Sequence, residues 1–280
     1  MDVVGDIMTK KVATCGSKAS IMDVRELMRG RRISRMVAVD AGDRPVGVVT
    51  QKDIIRFLTA DKSKRGLEEI RVEEPMSRVL VTIAPDASVS DAARSMAKRK
   101  ISSLIVVDKD GIVKGIVTKA DLCLHLASKG AGVFKGRDYM TKNPVAVRPT
   151  QSMFVASSLM SEHGISRVAV IDTEKKPVGI ITLADLTMIG SLLKPPKVLM
   201  EGKPIQVEGG ITLPSSLHLL TASDIMSGNP ISIEEGADLS DAAKLMTRHG
   251  ISGLPVVDKS GRLVGIVTKS DITRALSSME

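Results

Sequence analysis

The sequence predicts an α/β fold made of four consecutive β-α-β-β-α repeats. Five positions recur at one fixed spacing in four places: a Met, an Ile-Ser pair 25 residues later, an Asp after seven more, a Gly after another seven, and a second Asp after six. A register of five positions that is kept four times indicates an internal repeat. The four sets are Met8, Ile33, Asp40, Gly47 and Asp53; Met76, Ile101, Asp108, Gly115 and Asp121; Met140, Ile165, Asp172, Gly179 and Asp185; and Met226, Ile251, Asp258, Gly265 and Asp271.

The first long element of each repeat is predicted to be an amphipathic helix, which in repeat two begins at Ser88. Apolar residues at i, i+3, i+4 and i+7 form one stripe along such a helix. The stripe consists of Val89, Ala92, Ala93 and Met96 in repeat two and of Leu239, Ala242, Ala243 and Met246 in repeat four. Met28 and Met160 hold the matching place in the other repeats, and we expect these methionines to lie in the core.

Two short strands and a final helix follow in each repeat. Runs rich in β-branched residues, such as residues 105–107 and 115–117, are separated by polar turns such as 108–111 and 258–261. The final helix begins at a Thr-x-x-Asp, a spacing typical of a capping box. Its threonines are Thr50, Thr118, Thr182 and Thr268. A unit of roughly 55–60 residues has too small a core to be stable alone, so we expect the repeats to pair.

The repeat spacing predicts four domains and one insertion. The repeats occupy residues 1–60, 69–128, 134–190 and 224–280, and residues 191–223 form a linker or insertion between the last two. Alternating residues at 204–210 predict a hairpin or an extended arm there. Two interpretations of this segment stay open, a tolerated surface insertion and a docking element.

The composition is typical of a compact cytoplasmic protein. With 43% apolar residues the chain can bury a sizeable core. Cys15 and Cys123 lie at unrelated places in their repeats, which predicts burial as small apolar side chains and argues against a disulfide framework or a thiolate metal site. Asp2 and Asp6 make the first residues unlike a signal peptide. No apolar run approaches the roughly 20 residues that a membrane-spanning helix needs.

The positive charge is concentrated in the first half of the chain. Residues 1–140 carry 26 Lys and Arg against 18 Asp and Glu, a net charge of +8, whereas residues 141–280 carry 14 of each. A one-sided excess of this kind attracts polyanions. The basic residues gather at matching places in repeats one and two, where the candidates for RNA or polyanion binding are Arg29, Arg31, Arg32, Lys98, Arg99 and Lys100.

The arrangement Met-(25)-Ile-Ser, Val-Asp, Gly-Ile-Val-Thr-x-x-Asp resembles the CBS domain (cystathionine β-synthase domain) in four tandem copies over nearly the whole chain. The resemblance implies that repeats one and two form one head-to-head Bateman module and repeats three and four a second, in a disk-like arrangement. It also implies a stand-alone regulatory protein of archaeal type, without catalytic residues, that binds AMP, ADP, ATP or S-adenosylmethionine in clefts between the copies.

The resemblance also assigns roles to residues of those clefts. Family members hold ribose hydroxyls with the Thr and Asp, which here are Thr50, Asp53, Thr118, Asp121, Thr182, Asp185, Thr268 and Asp271. Helix capping is the alternative role of these pairs, and the two roles are compatible. Family members commonly place a basic residue two positions after the Ile, and Arg35 and Arg167 occupy that place in repeats one and three. Ser103 and Gly253 take it in repeats two and four, so we expect one preferred phosphate site per module.

Two classes of function stay open. The first is a nucleotide sensor for cellular energy state that modulates a protein partner; the second is an RNA- or ribosome-binding factor, one that silences translation, acting through the basic N-terminal module. Because aromatic residues make up 1% of the chain, contacts with RNA would be made to phosphate and shape rather than by base stacking. The four histidines have no metal-ligand spacing, and no nucleophile or phosphate-loop motif is present, so we expect neither an enzyme nor a metal site. An acidic protein partner and homodimerisation stay open, and no membrane partner is expected.

Overall fold

The computed structural model describes residues 2–61, 63, 65–129, 132, 134–186, 205–207, 211–213 and 220–279. The chain divides into two compact units, one of Met1–Ser128 with Ile272–Glu280 and one of Lys129–Asp271. The first unit contains repeats one and two. The second contains repeats three and four as far as the start of the final helix.

The first unit contains two similar three-stranded sheets, β1-β2-β3 and β4-β5-β6. In each, the short first strand is parallel to the second, and the second and third form an antiparallel hairpin. The elements are α1 (Val4–Ile7), β1 (Thr14–Gly16), α2 (Ile21–Gly30), β2 (Arg35–Val39), β3 (Pro45–Thr50), α3 (Gln51–Ala60), β4 (Thr82–Ile83), α4 (Val89–Arg99), β5 (Ser103–Val107), β6 (Val113–Thr118) and α5 (Lys119–Ser128).

The second unit repeats this arrangement with one more strand in each sheet, in the orders β13-β10-β9-β8 and β14-β15-β16-β7. Its elements are α6 (Gly136–Tyr139), β7 (Thr141–Lys142), β8 (Ala146–Val147), α7 (Met153–Glu162), β9 (Arg167–Ile171), β10 (Pro177–Thr182), α8 (described over 183–186), β11 (Ile205–Val207), β12 (Ile211–Leu213), α9 (Ala222–Ile225), β13 (Ser227–Gly228), β14 (Ile233–Glu234), α10 (Leu239–Arg248), β15 (Gly253–Val257), β16 (Leu263–Thr268) and the first three residues of α11 (Lys269–Ser277).

The predicted apolar stripes form the core. Val89, Ala92, Ala93 and Met96 of α4 are all buried, and so are their counterparts Leu239, Ala242, Ala243 and Met246 of α10. Met28 and Met160 are buried at the matching places. The helix of repeat two begins where predicted, since the Ser88 hydroxyl accepts a hydrogen bond from the Asp91 amide. The prediction that these methionines lie in the core is therefore confirmed.

The segment that opens each repeat packs against the other repeat of its pair. Thr9 of repeat one forms a bridge with Ile116 of repeat two, and Ser77 of repeat two forms one with Val48 of repeat one. In the second unit, β7 of repeat three pairs with β16 of repeat four, and β13 pairs with β10. Each repeat therefore completes the other, which confirms that the repeats pair as one with two and three with four.

Where two repeats pair, the recurring Met of one repeat contacts the recurring Gly of the other. A Cβ on Gly47 would collide with the sulfur of Met76, so only a glycine lets the methionine pass over the strand. The same relation holds for Gly115 with Met8, Gly179 with Met226, and Gly265 with Met140. Two of the five recurring positions thus serve the pairing of repeats.

The structure adds elements that the sequence pattern does not predict. A four-residue helix opens repeats one, three and four (α1, α6 and α9). Within residues 191–223, β11 and β12 form an antiparallel pair. This pairing agrees with a hairpin, which is one of the two forms predicted for this segment. The other residues of 191–219 lie outside the described part of the chain.

The prediction that both cysteines are buried is confirmed for Cys123 and only in part for Cys15. Cys123 is buried in α5, and Cys15 is partly buried in β1. Burial raises the pKa of the Cys15 thiol to about 11. The thiolate is the reactive form of cysteine. Cys15 is therefore held as an inert thiol at neutral pH.

Candidate functional site

Each Thr-x-x-Asp forms the predicted capping box at the start of the final helix. The Thr50 amide and hydroxyl donate hydrogen bonds to Asp53 Oδ2 over 3.0 and 2.6 Å, and the Asp53 amide donates to Thr50 Oγ1 over 3.2 Å. The other three pairs repeat the first two bonds, with amide distances of 2.7–2.8 Å and hydroxyl distances of 2.7 Å. These pairs are Thr118–Asp121, Thr182–Asp185 and Thr268–Asp271.

Capping uses one carboxylate oxygen and leaves the other for a second partner. In the described part of the chain, Oδ1 of Asp121 and of Asp185 has no hydrogen-bond or ion-pair partner. Oδ1 of Asp53 pairs with the exposed Arg56 over 3.1 Å. An anionic oxygen at a helix N-terminus can accept hydrogen bonds from vicinal hydroxyls. The capping role and a ribose-binding role are therefore chemically compatible in one residue.

The four aspartates differ in access to solvent. Asp53, Asp121 and Asp185 are partly exposed, whereas Asp271 is 4% exposed. A ligand hydroxyl can reach the first three carboxylates more readily than the fourth. The four copies of the motif are thus not four equal sites.

Arg35 crosses from repeat one to repeat two. It begins β2, but its Nη1 donates to the hydroxyls of Ser102 and Ser103 over 3.0 and 2.7 Å. Burial lowers the pKa of the Arg35 guanidinium, and the nearby carboxylates of Asp121 and Asp53 oppose that change. An arginine stays charged in proteins, so the first module holds a fixed cation beside two Thr-x-x-Asp pairs.

Arg167 occupies the equivalent place in the second module. Its Nη2 donates to the Ser252 hydroxyl over 2.9 Å, and a Cβ on Gly253 would collide with its Nη1. Burial lowers the pKa of Arg167, with the Asp271 carboxylate opposing. Both predicted phosphate-binding arginines therefore lie between the two repeats of a pair, beside the predicted ribose-binding residues.

The serines that accept hydrogen bonds from Arg35 and Arg167 are not among the residues that the sequence predicts for the site. Ser102 and Ser252 follow the recurring Ile in repeats two and four, so the pattern contained them. Spacing along the chain does not reveal which residue of the opposite repeat a side chain meets. The Ser after the Ile is therefore explained only once the pairing of repeats is known.

The six basic candidates lie at the C-terminal ends of α2 and α4 and just beyond. Arg29, Arg31, Arg32, Lys98, Arg99 and Lys100 are all exposed, and none of their side chains pairs with a described residue. Arg32 precedes Arg35 by three residues and Lys100 precedes Ser102 by two, a span of roughly 10 Å of chain at most. Arg32 and Lys100 thus each lie within three residues of the Arg35–Ser102 contact, and the six basic residues are called the basic edge of the first unit.

An open cleft of about 520 Å³ in the second unit lies away from these residues. It is lined by Met140, Lys142, Glu235 and Val264 among others. Glu235 follows β14 and Val264 lies near the start of β16, whereas Thr268 ends β16. The cleft is therefore at the opposite end of the sheet from the Thr-x-x-Asp of repeat four.

No helix among the described residues has both the length and the apolar character to span a bilayer. No group of three or more His, Cys, Asp or Glu side chains in the same residues is arranged to hold a metal ion.

Known proteins resemble this chain in fold and in sequence. Protein MJ1225 of Methanocaldococcus jannaschii, for which homology to the γ subunit of AMP-activated protein kinase has been suggested, has a crystal structure that superposes with a TM-score of 0.74 at 22% identity, over 98% of this chain and 99% of that one. MJ1404 of the same organism is 38% identical over 45% of this chain, which spans only 32% of that protein. Both are described as uncharacterised archaeal proteins.

A second similar structure is the CBS domain pair of protein MJ0100, solved in complex with 5′-methylthioadenosine and S-adenosyl-L-methionine. It aligns at 31% identity over 46% of this chain, with a TM-score of 0.42. The family model of the CBS domain matches residues 4–60, 67–128, 137–190 and 222–278. These matches account for most of the sequence. The chain therefore belongs to the CBS-domain family and contains four CBS domains.

Proposed function

We propose that this protein is a non-enzymatic regulator that binds an adenine nucleotide or another adenosyl ligand between the paired repeats and thereby modulates a macromolecular partner. The main support for this proposal is the position of Arg35. Its guanidinium lies between two repeats, each of which contains a Thr-x-x-Asp. A guanidinium can form two parallel hydrogen bonds to phosphate oxygens. The aspartates supply acceptors for ribose hydroxyls, so the two ends of a nucleotide each have a partner.

The ligand class is tested by thermal unfolding with adenosine, AMP, ADP, ATP and S-adenosylmethionine. A ligand that binds only the native state raises the melting temperature by mass action. We expect Arg35→Ala and Arg167→Ala to weaken AMP, ADP and ATP by roughly tenfold or more, since a hydrogen bond between charged groups is lost, and to change adenosine binding much less.

The matched control for these variants is Arg94→Ala. Arg94 is an exposed arginine of α4 that pairs with Asp91 over 2.6 Å, and it serves as a surface control for loss of one positive charge. Nucleotide affinity should be unchanged in this variant. Absence of any response to adenosyl ligands at millimolar concentration in the unmodified protein would reject the proposed function.

The alternative function is binding to RNA or to ribosomal particles through the basic edge of the first unit. The specific observation in its favour is that the six basic side chains at the ends of α2 and α4 are exposed and have no partner among the described residues. Unpaired cations remain available to phosphates, and binding of this kind releases counterions. The two functions are compatible, since the adenosyl ligand would occupy a different part of the same module.

A further inference from the structure

The strand register places Arg35 between two equivalent half-sites. Arg35 lies directly opposite Thr50 in the β2–β3 ladder, and Ser103 lies opposite Thr118 in the β5–β6 ladder. Opposite residues of an antiparallel pair have Cα atoms about 4.5–5.5 Å apart. Because the Arg35 guanidinium donates to Ser103 over 2.7 Å, it joins the Thr50 end of one sheet to the Thr118 end of the other.

Only one of the two equivalent positions of each module carries a long side chain at this point. Arg35 and Ser103 hold the same position in their repeats, two residues after the Ile, and they contact each other. In the second module the equivalent residues are Arg167 and Gly253, and even a Cβ on Gly253 would collide with the guanidinium. Each module therefore contains one central cation for two Thr-x-x-Asp pairs.

Among the described residues of the first module, an arginine pairs with the aspartate of one half-site. Arg56 pairs with Asp53, but its side chain is 78% exposed, and exposed ion pairs contribute little. Leu124 takes the place of Arg56 in repeat two. Arg56 therefore gives the half-sites slightly different surroundings without providing a second buried cation.

We infer that the two half-sites of a module share this one guanidinium, so that a phosphorylated adenosyl ligand bound at one of them excludes a second from the other. This inference rests on the proposed function. Once the guanidinium is paired with one phosphate, a second phosphate meets the charge of the first with no second buried arginine to offset it. This weakens the second binding event by roughly tenfold or more, so AMP at a concentration just above the first dissociation constant fills only one half-site. An adenosyl ligand without a phosphate is not subject to this exclusion.

The test is the number of AMP molecules bound per chain, measured by equilibrium dialysis for the wild type, Asp53→Ala, Asp121→Ala and the double variant. With a shared guanidinium, AMP moves to the intact half-site when the other is lost, so both single variants bind as many AMP molecules as the wild type. The double variant binds one fewer. Two independent sites would lose one AMP in each single variant, and one fixed site would lose it in only one of them; either result overturns the inference.

Two further measurements keep the test decisive. If an Ala variant is not folded by circular dichroism, the corresponding Asp→Asn variant replaces it, because an amide oxygen can still accept the capping hydrogen bonds. In the same titration with adenosine, each single variant should lose one bound molecule. Exclusion that persists with adenosine would be steric and would overturn the role of Arg35, whereas a wild type that binds no AMP would instead reject the proposed function.

Discussion

At the scale of single residues, the pairing of repeats depends on contacts that one atom can break. Gly47 lies under the side chain of Met76, and the three heavy atoms nearest to the position of its missing Cβ all belong to that methionine. Met76 is 7% exposed, so its side chain is held in the core of the first unit. An added methyl group must therefore displace a buried side chain, and overpacking of this kind typically costs about 1–3 kcal/mol.

We predict that Gly47→Ala lowers the free energy of unfolding by about 1–3 kcal/mol, because the new Cβ overlaps the Met76 sulfur. Met76→Ala should cost about 2–5 kcal/mol through the cavity that it leaves. In the double variant the overlap is absent, so its loss of stability should be smaller than the sum of the two. Urea unfolding of the four proteins measures this coupling.

The control for this cycle is Gly30→Ala at the end of α2. A Cβ on Gly30 meets nothing within 4 Å, so the substitution should stabilise the protein slightly by restricting the unfolded chain. The opposite signs of the two Gly→Ala changes distinguish steric overlap from backbone entropy. Strict additivity in the Gly47–Met76 cycle would show that the two side chains do not interact.

At the scale of elements, the caps of α4 and α5 have nearly the same geometry and different surroundings. The Ser88 hydroxyl donates to Asp91 Oδ2 over 2.7 Å at the start of α4. The Thr118 hydroxyl donates to Asp121 Oδ2 over 2.7 Å at the start of α5. Only the second lies beside the Arg35–Ser103 contact, because Thr118 is the strand partner of Ser103. The Ser88 cap therefore provides a reference for the stability contribution alone.

We predict that Ser88→Ala and Thr118→Ala each lower the free energy of unfolding by about 0.5–2 kcal/mol, the usual cost of losing an N-cap. Only Thr118→Ala should also weaken adenosine binding, since it alone changes the predicted ribose contacts. Urea unfolding gives the first quantity and calorimetric titration with adenosine the second. Equal adenosine affinity in the two variants would mean that Thr118 is a cap and nothing more.

The elements also show where prediction from the sequence ends. The stripe from Val89 to Met96 is long enough to reveal a helix by its period, and the helix is present. The helices of four residues, such as α1, span about one turn and have no period to detect. The contact between Met8 of repeat one and Gly115 of repeat two cannot be predicted from the sequence for another reason. Spacing fixes where each residue lies in its own repeat, but it does not fix which repeat supplies its neighbour.

The candidate site shows the same division. Thr-x-x-Asp predicts its own capping geometry because all of its atoms lie within one turn, and the hydrogen bonds confirm the cap. The place of Arg35 next to Asp121 depends on the packing of two repeats, which the resemblance implied and the residues alone did not. The ligand roles of these residues remain predictions.

At the scale of the whole molecule, charge separates the two halves of a repetitive chain. At the place of Lys98, Arg99 and Lys100, repeat three has Glu162, His163 and Gly164. The fold of the repeats is the same, so this difference is not required by packing, and exposed charge contributes little to stability. A concentration of exposed cations on one module instead raises its attraction for polyanions.

The last prediction is that the six basic residues at the ends of α2 and α4 bind RNA phosphates. Replacing all six by Glu should abolish co-sedimentation with ribosomal particles, while circular dichroism and AMP binding stay unchanged because the side chains are exposed. In the wild type, the logarithm of affinity should fall with the logarithm of salt concentration by about 0.7–0.9 per phosphate contact.

The matched control reverses six exposed cations of the other half of the chain: Lys142, Lys175, Lys244, Arg248, Lys259 and Arg262. This control lowers the net charge by the same amount but leaves the basic edge of the first unit intact, so it should still sediment with ribosomal particles at low salt. Equal loss of binding in both six-residue variants would indicate a response to net charge alone. Sedimentation of the variant without the basic edge, or none by the wild type at low salt, would remove RNA from the functions of this protein.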